Sequence, residues 1–426
     1  MENSQATMDA DSGFSGRAGL AGSADKVDSA ATSGRGWMSV ASVATGAFAF
    51  VTTEFLPVGL LPQIAHDLGV SVGTAGLMVT TPGLISAISA PAMLLAAGRI
   101  NRRLILLILS VLLLASNLVS AFAPSFGVML LGRALLGTCL GGFWTVALAA
   151  SGRLVQQQHA ARATAMIFAG ITFATVIGVP LGTFISNLFS WRASFMVTGV
   201  LVAIALLAQT LLLPSLPSGA AVRTSDFAAL LRRANPRKSL LMVGLLFAAH
   251  LAGYTYIAPF MVQGGTFSLT TVSSVLLGFG LVGFVSNFLM SAIAARRLQA
   301  SLFAMALIMM VCLFALPLVH ASQAGVVALV LVWGFAYGAI PLCLSIWMQL
   351  SSPDFPEAGS ALFVSMVQLS IAIGSFTGGI AVNTLGIPAN MLLGGILSLI
   401  GLGLILSFKF GFSADNGKLS EGLSKK

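Results

Sequence analysis

Three side chains stand out by type and position. The 426-residue chain carries 21 Lys or Arg and 12 Asp or Glu, and nearly all of them fall in polar stretches between long apolar runs. Glu54 is the one acid inside such a run and Arg133 the one base, while His250 lies near the middle of another. A charged group in hydrocarbon is costly, and it faces a water-filled cavity, a partner or an ion pathway. A carboxyl at Glu54 is therefore suited to proton uptake and release, with a structural ion pair as the competing explanation. At about 1.5 Å per residue, Glu54 and Arg133 lie at matching depths, roughly 13 and 12 Å from the ends of their runs. Direct or water-mediated contact is expected, either broken and remade during a working cycle or kept as a permanent salt bridge. His250, about 16 Å into its run, titrates near neutral pH and reads as a proton relay, a substrate partner or a buried histidine satisfied by a neighbour.

Aromatic residues form the second set. Phe143, Trp144, Trp333, Tyr337 and Trp347 occupy the fourth and tenth apolar runs, and Tyr254 and Tyr256 follow His250 beside Gly253 and Pro259. Flat substrates stack on such rings, and Gln368, Asn117 or Asn287 offer hydrogen bonds to polar edges. Packing and lipid contact are the competing roles. Trp37 and Trp191 sit where interfacial anchors belong.

The elements that must position these residues follow from composition. Hydrophobic residues make up 57% of the chain and charged ones 8%, against about a quarter charged in soluble domains. The chain belongs in a membrane, where about 20 apolar residues make one span and this length allows on the order of twelve. Continuous rather than alternating apolar runs reject a barrel. We read an all-α membrane protein with twelve spans between Trp37 and Phe408, the first at 37–60. Residues 1–36 form a disordered tail without a signal-peptide pattern, 37–213 a first six-helix bundle, 214–238 a basic linker, 239–408 a second six-helix bundle and 409–426 a second tail. Nineteen of the 21 basic residues fall on one side of this arrangement, which places both termini in the cytoplasm. The basic excess is thus topological, and no nucleic-acid partner is expected. A nucleotide-binding Gly-x4-Gly-Lys-Ser/Thr loop is absent. Gly278-Phe-Gly-Leu-Val-Gly283 lies within a span with no strand before it, so it reads as helix packing. Cys139, Cys312 and Cys343 have no metal spacing and read as packing residues. No cofactor or metal is expected.

The two bundles carry a weak repeat: Gly178-Val-Pro-Leu-Gly182 and Asn187 recur 196 residues on as Gly374-Ser-Phe-Thr-Gly378 and Asn383. Further motifs are Thr52-Thr-Glu-Phe-Leu-Pro-Val-Gly-Leu-Leu-Pro62, Gly132-Arg-Ala-Leu-Leu-Gly137 and Trp191-Arg192. On these residues the chain resembles the twelve-span drug:proton antiporter branch of the major facilitator superfamily, over nearly all of Trp37 to Phe408. Gly141-Gly-Phe-Trp144, the segment from Arg153 and Leu213-Pro-Ser-Leu-Pro217 are most similar to purine ribonucleoside efflux pumps, then to arabinose-type exporters. The resemblance implies that Arg133 belongs to a proton-relay motif and that Gly178, Pro180 and Gly182 form the exporter motif of span five. Pro180 lacks a backbone donor and the glycines permit close approach, so this span is expected to bend. The loop motif between spans two and three keeps its terminal Arg102 and Arg103 but has Gly98 where the acid stands, so its charge relay is missing or uses other groups. The resemblance implies a monomeric, proton-coupled exporter of a small solute, purine ribonucleosides first and multidrug or sugar export as the alternative. A membrane enzyme would need more titratable groups inside the spans, and a receptor a sizeable soluble domain.

Overall fold

The computed structural model describes residues 34–96, 100–156, 159–216, 224–263, 267–294 and 296–408. The tails read at 1–36 and 409–426 lie almost wholly outside these residues, as do Gly98, Arg99 and part of the linker. Among the described residues, twelve helices are long and apolar enough to cross a membrane: α1 (Gly34–Asp67), α2 (Val72–Met93), α3 (Arg102–Ala121), α4 (Phe126–Trp144), α5 (Arg162–Leu188), α6 (Trp191–Leu212), α7 (Ala234–Val262), α8 (Leu269–Ser291), α9 (Leu298–Leu318), α10 (Gln323–Ser351), α11 (Ala358–Leu385) and α12 (Ile387–Ser407). The twelve expected spans are all present.

Boundaries differ in one instructive place. α1 runs on to Asp67, a full two turns beyond the expected end at residue 60, despite Pro57 and Pro62 within it. Its last polar residues are held by neighbours: Gln63 donates to Asn187 (3.2 Å) and accepts from Ser186, and Asp67 pairs with Arg192 and Trp191. Tertiary contacts thus extend a helix that hydropathy alone would end.

The repeat is built into the packing. A methyl group added at Gly178 in α5 would stand 2.9 Å from Thr52 Oγ1 in α1, and one at Gly374 in α11 would stand 2.5 Å from Ala248 O in α7. Ala248 lies 196 residues beyond Thr52, the same offset that relates the two glycines. α4 likewise meets α2 where Gly137 faces Pro82, and α10 meets α8 where Gly334 faces Phe279, both pairs displaced by 197. Small residues let the helices approach without a hydrophobic driving force between them. Gly278, Gly280 and Gly283 serve the same purpose, facing Leu331, Val176 and Gly334.

The regular α5 ladder is interrupted at its motif. A single π turn, Ala174–Gly178, precedes Pro180, where the ring blocks regular continuation of the backbone ladder. A methyl added at Gly182 would run into Leu56, and one at Gly59 into Thr183, so α5 lies flush against α1. The linker's short helix Thr224–Arg232 buries Leu230 and packs on α7 and α11, and Arg233 then pairs with Asp354.

Candidate functional site

Glu54 is buried in α1 with 3% of its surface exposed. Its Oε1 accepts a hydrogen bond from Gln368 Nε2 of α11 at 3.1 Å. One side chain is in each half, so the one buried carboxylate among the described residues is bonded across the seam between the halves. α2 and α11 are in close contact at the same level, where a methyl on Gly83 would stand 2.8 Å from Gln368 O.

Arg133 is fully buried and reaches the same stretch of α1, but by another route. Nη1 donates to Thr53 O, Nη2 to Glu54 O and Nε to Met78 O, each at 2.8 Å. Arg133 thus meets Glu54 at its main-chain carbonyl, where a contact with the carboxylate was expected. Among the described residues the ion pairs are Arg192–Asp67 and Arg233–Asp354, and neither involves Glu54. Asn117 donates to Thr53 Oγ1 at 3.1 Å, so its amide is committed to the α1–α3 contact.

His250 sits in an aromatic box of the second half. It stacks on Tyr337 with ring centres 3.3 Å apart and on Tyr254 at 4.9 Å, with the Trp333 edge at 5.3 Å and Phe279 at 6.1 Å. Three buried polar atoms here have no protein partner: His250 Nδ1, Trp333 Nε1 and Gln368 Oε1. Leaving such groups unmet costs about 1–3 kcal/mol each.

The remaining candidates are elsewhere. Phe143 stacks on Phe50 at 4.1 Å, with Trp144 edge-on at 6.3 Å, inside the core of the first half. Trp347 packs edge-on against Phe408 at 5.1 Å, far along α10 from Trp333. Tyr256 occupies a break in α7 and points toward the Asp67 end, where its hydroxyl bonds Ser375 O (2.9 Å) and Gly73 O (3.4 Å). With Ser375 Oγ donating to Gly76 O at 3.0 Å, it closes that end of the seam. Gly73 and Gly76 lie at the start of α2, where a methyl on either would collide, with Asn383 and Gly379 or with Tyr256. Beside it a hollow of about 460 Å³ is lined by Pro62, His66, Asp67, Trp191, Arg192 and Val262, from both halves.

At the opposite end Arg102 and Arg103 start α3. The Arg102 N–H donates to Leu216 O at 2.9 Å and Arg103 Nη2 to Thr210 O at 2.8 Å. Asn101 ties in Ser215 and Leu216. A cation on the last carbonyls of a helix is favourable, so these arginines fasten the end of α6 and the linker.

Twelve membrane-crossing helices in two matching halves, with buried polar groups meeting at the seam, define a secondary transporter. The chain belongs to the Major Facilitator Superfamily, whose family model matches residues 43–375. It is 34% identical over 85% of its length to the transcription regulatory protein OpdE of Pseudomonas aeruginosa, covering 92% of that protein. It is 32% identical, with the same coverage of each chain, to the purine ribonucleoside efflux pump NepI of Salmonella paratyphi A. Among solved structures it is similar to the human organic anion transporter MFSD10, with a TM-score of 0.64 and 17% identity over 87% of this chain and 98% of that one, which supports the shared fold.

Proposed function

We propose that this multi-pass transporter exports a small flat solute, purine ribonucleosides first, in exchange for protons across a bacterial inner membrane. The observation that carries the reading is Glu54: the one buried carboxylate among the described residues, bonded to Gln368 of the opposite half. A carboxylate and a carboxylic acid make different hydrogen bonds to an amide, so loading or losing a proton changes the terms on which the halves meet. The ligand-facing groups are the rings of Tyr254, Tyr337 and Trp333 with His250 and Gln368, whose unmet polar atoms match the edges of a nucleobase. The basic ends of the helices, which hold Arg35, Arg102, Arg103, Arg162, Arg237 and Lys238, are assigned to the cytoplasm. The end closed by Tyr256 and Ser375 then faces outward, and the chain acts as a monomer. Export of purine ribonucleosides by the NepI relatives and the aromatic box support this solute class over arabinose-type sugars and cationic drugs. The confinement of basic groups to helix ends favours transport over contact with nucleic acid.

Transport into everted vesicles distinguishes the solute classes. Inosine and guanosine are expected to accumulate when a pH gradient is imposed, and arabinose and a cationic dye are not. A response to the dye with indifference to inosine would replace the nucleoside assignment with a multidrug one.

A further inference from the structure

We propose that Arg133 is a positioning residue that replaces the two backbone donors missing at Pro57 and Pro82. In an α-helix the N–H of each residue bonds the carbonyl four positions earlier, and proline has no N–H to give. Thr53 lies four residues before Pro57 in α1, and Met78 lies four before Pro82 in α2. Those two carbonyls are the ones that Arg133 Nη1 and Nε reach, each at 2.8 Å, while Nη2 takes the adjoining Glu54 carbonyl. Buried carbonyls of this kind must find a donor. A guanidinium presents five N–H groups in a rigid planar fork, so one side chain can serve carbonyls on two helices at once.

The second half of the molecule supplies an independent check. The positions 196 or 197 residues beyond Pro57, Pro82 and Arg133 are Gly253, Phe279 and Val330. Neither proline is repeated there, and the arginine is not repeated either. The packing supports the same view. One turn along α4 from Arg133, a methyl on Gly137 would stand 2.7 Å from Pro82 O, so α4 packs tightly on α2 at the proline itself. Arg133 thereby binds α1, α2 and α4 into one piece. Its side chain is spent on main-chain oxygens, and the Glu54 carboxylate turns to Gln368 of the other half.

The test uses the full chain in proteoliposomes, with melting temperature and transport of inosine as separate readouts. Arg133→Lys keeps the charge but not the fork. It is expected to lower the melting temperature and to cut transport about tenfold, the scale of one lost charge-assisted hydrogen bond. Adding Pro57→Ala and Pro82→Ala restores the two N–H groups, and the triple variant is expected to regain most of the melting temperature and at least half of the lost transport. A lysine variant that keeps both properties overturns the proposal. So does a triple variant as poor as the lysine variant while the two alanine changes alone are harmless. Should the alanine changes alone prevent folding, the lysine variant decides: loss of melting temperature supports the clamp and its retention refutes it. Melting temperature is read without any solute, so failure of the nucleoside assignment would leave this test intact.

Discussion

At mid-depth in the first helix of one half stands Glu54, and 196 residues on, at the matching place in the other half, stands His250. The surroundings differ as much as the residues do. Glu54 lies beside a proline-interrupted helix held by an arginine and bonds across the seam to Gln368, whereas His250 is enclosed by Tyr254, Tyr337, Trp333 and Phe279 of its own half. The frame that carries them is nearly the same. Gly178 on Thr52 answers Gly374 on Ala248, and Gly137 on Pro82 answers Gly334 on Phe279. The helix contacts are thus repeated between the halves, and the proposed chemistry is laid over them unequally, with proton handling assigned to one half and ring recognition to the other.

The sharpest way to break this division is to give the second half the first half's arginine. Val330 is fully buried, and no proline stands at the positions matching 57 and 82. Val330→Arg is expected to destabilise the protein by about 3–5 kcal/mol, the cost of an uncompensated buried charge. Thermal unfolding of the purified protein measures it, and a fold that accommodates the arginine would mean that the halves are more alike than described.

A smaller effect probes the shared frame. Gly374→Ala pushes a methyl against the Ala248 backbone, while Gly178→Ala meets the Thr52 side chain, which can rotate. The first is expected to cost roughly 1–3 kcal/mol and the second less, as read by denaturation of the two variants side by side. Equal costs would show that the two contacts are equally rigid.

His250→Phe keeps a ring in the stack and removes the nitrogen without a partner. Loss of one solute hydrogen bond, about 1 kcal/mol, is expected to raise the KM for inosine about fivefold while pH-driven accumulation persists. Abolished coupling with an unchanged KM would move His250 from solute recognition to proton transfer. Least consequential are the exposed ion pairs, Arg192–Asp67 in the first half and Arg233–Asp354 between the linker and the second: Asp67→Asn and Asp354→Asn should each change stability by less than about 1 kcal/mol, and increasing salt should erase the difference.

Much of this architecture was legible in the sequence, because hydropathy and basic residues report directly on helices and their ends. The offset of 196 was visible too, in Gly178 and Gly374, and it is the register that the packing follows. Partners were harder to read. Depth placed Glu54 and Arg133 at one level, yet Arg133 reaches the main chain there: the Thr53 and Met78 carbonyls, which the positions of Pro57 and Pro82 single out, and the adjoining Glu54 carbonyl. Tyr256 sat two residues from Tyr254 and was grouped with it, but the break in α7 turns it to the closed end. Phe143 and Trp144 matched Trp333 and Tyr337 by span number, and the stack on Phe50 keeps them in the core of their own half.

The most direct measurement compares Glu54→Gln with the unaltered protein in the same proteoliposomes, in two modes: inosine accumulation driven by an imposed pH gradient, and exchange of labelled for unlabelled inosine with no gradient. Glutamine keeps a hydrogen-bonding oxygen near Gln368 but cannot carry a proton. The account predicts that the variant exchanges inosine and fails to accumulate it. Accumulation at the normal level in the variant would contradict the assignment of proton coupling to Glu54.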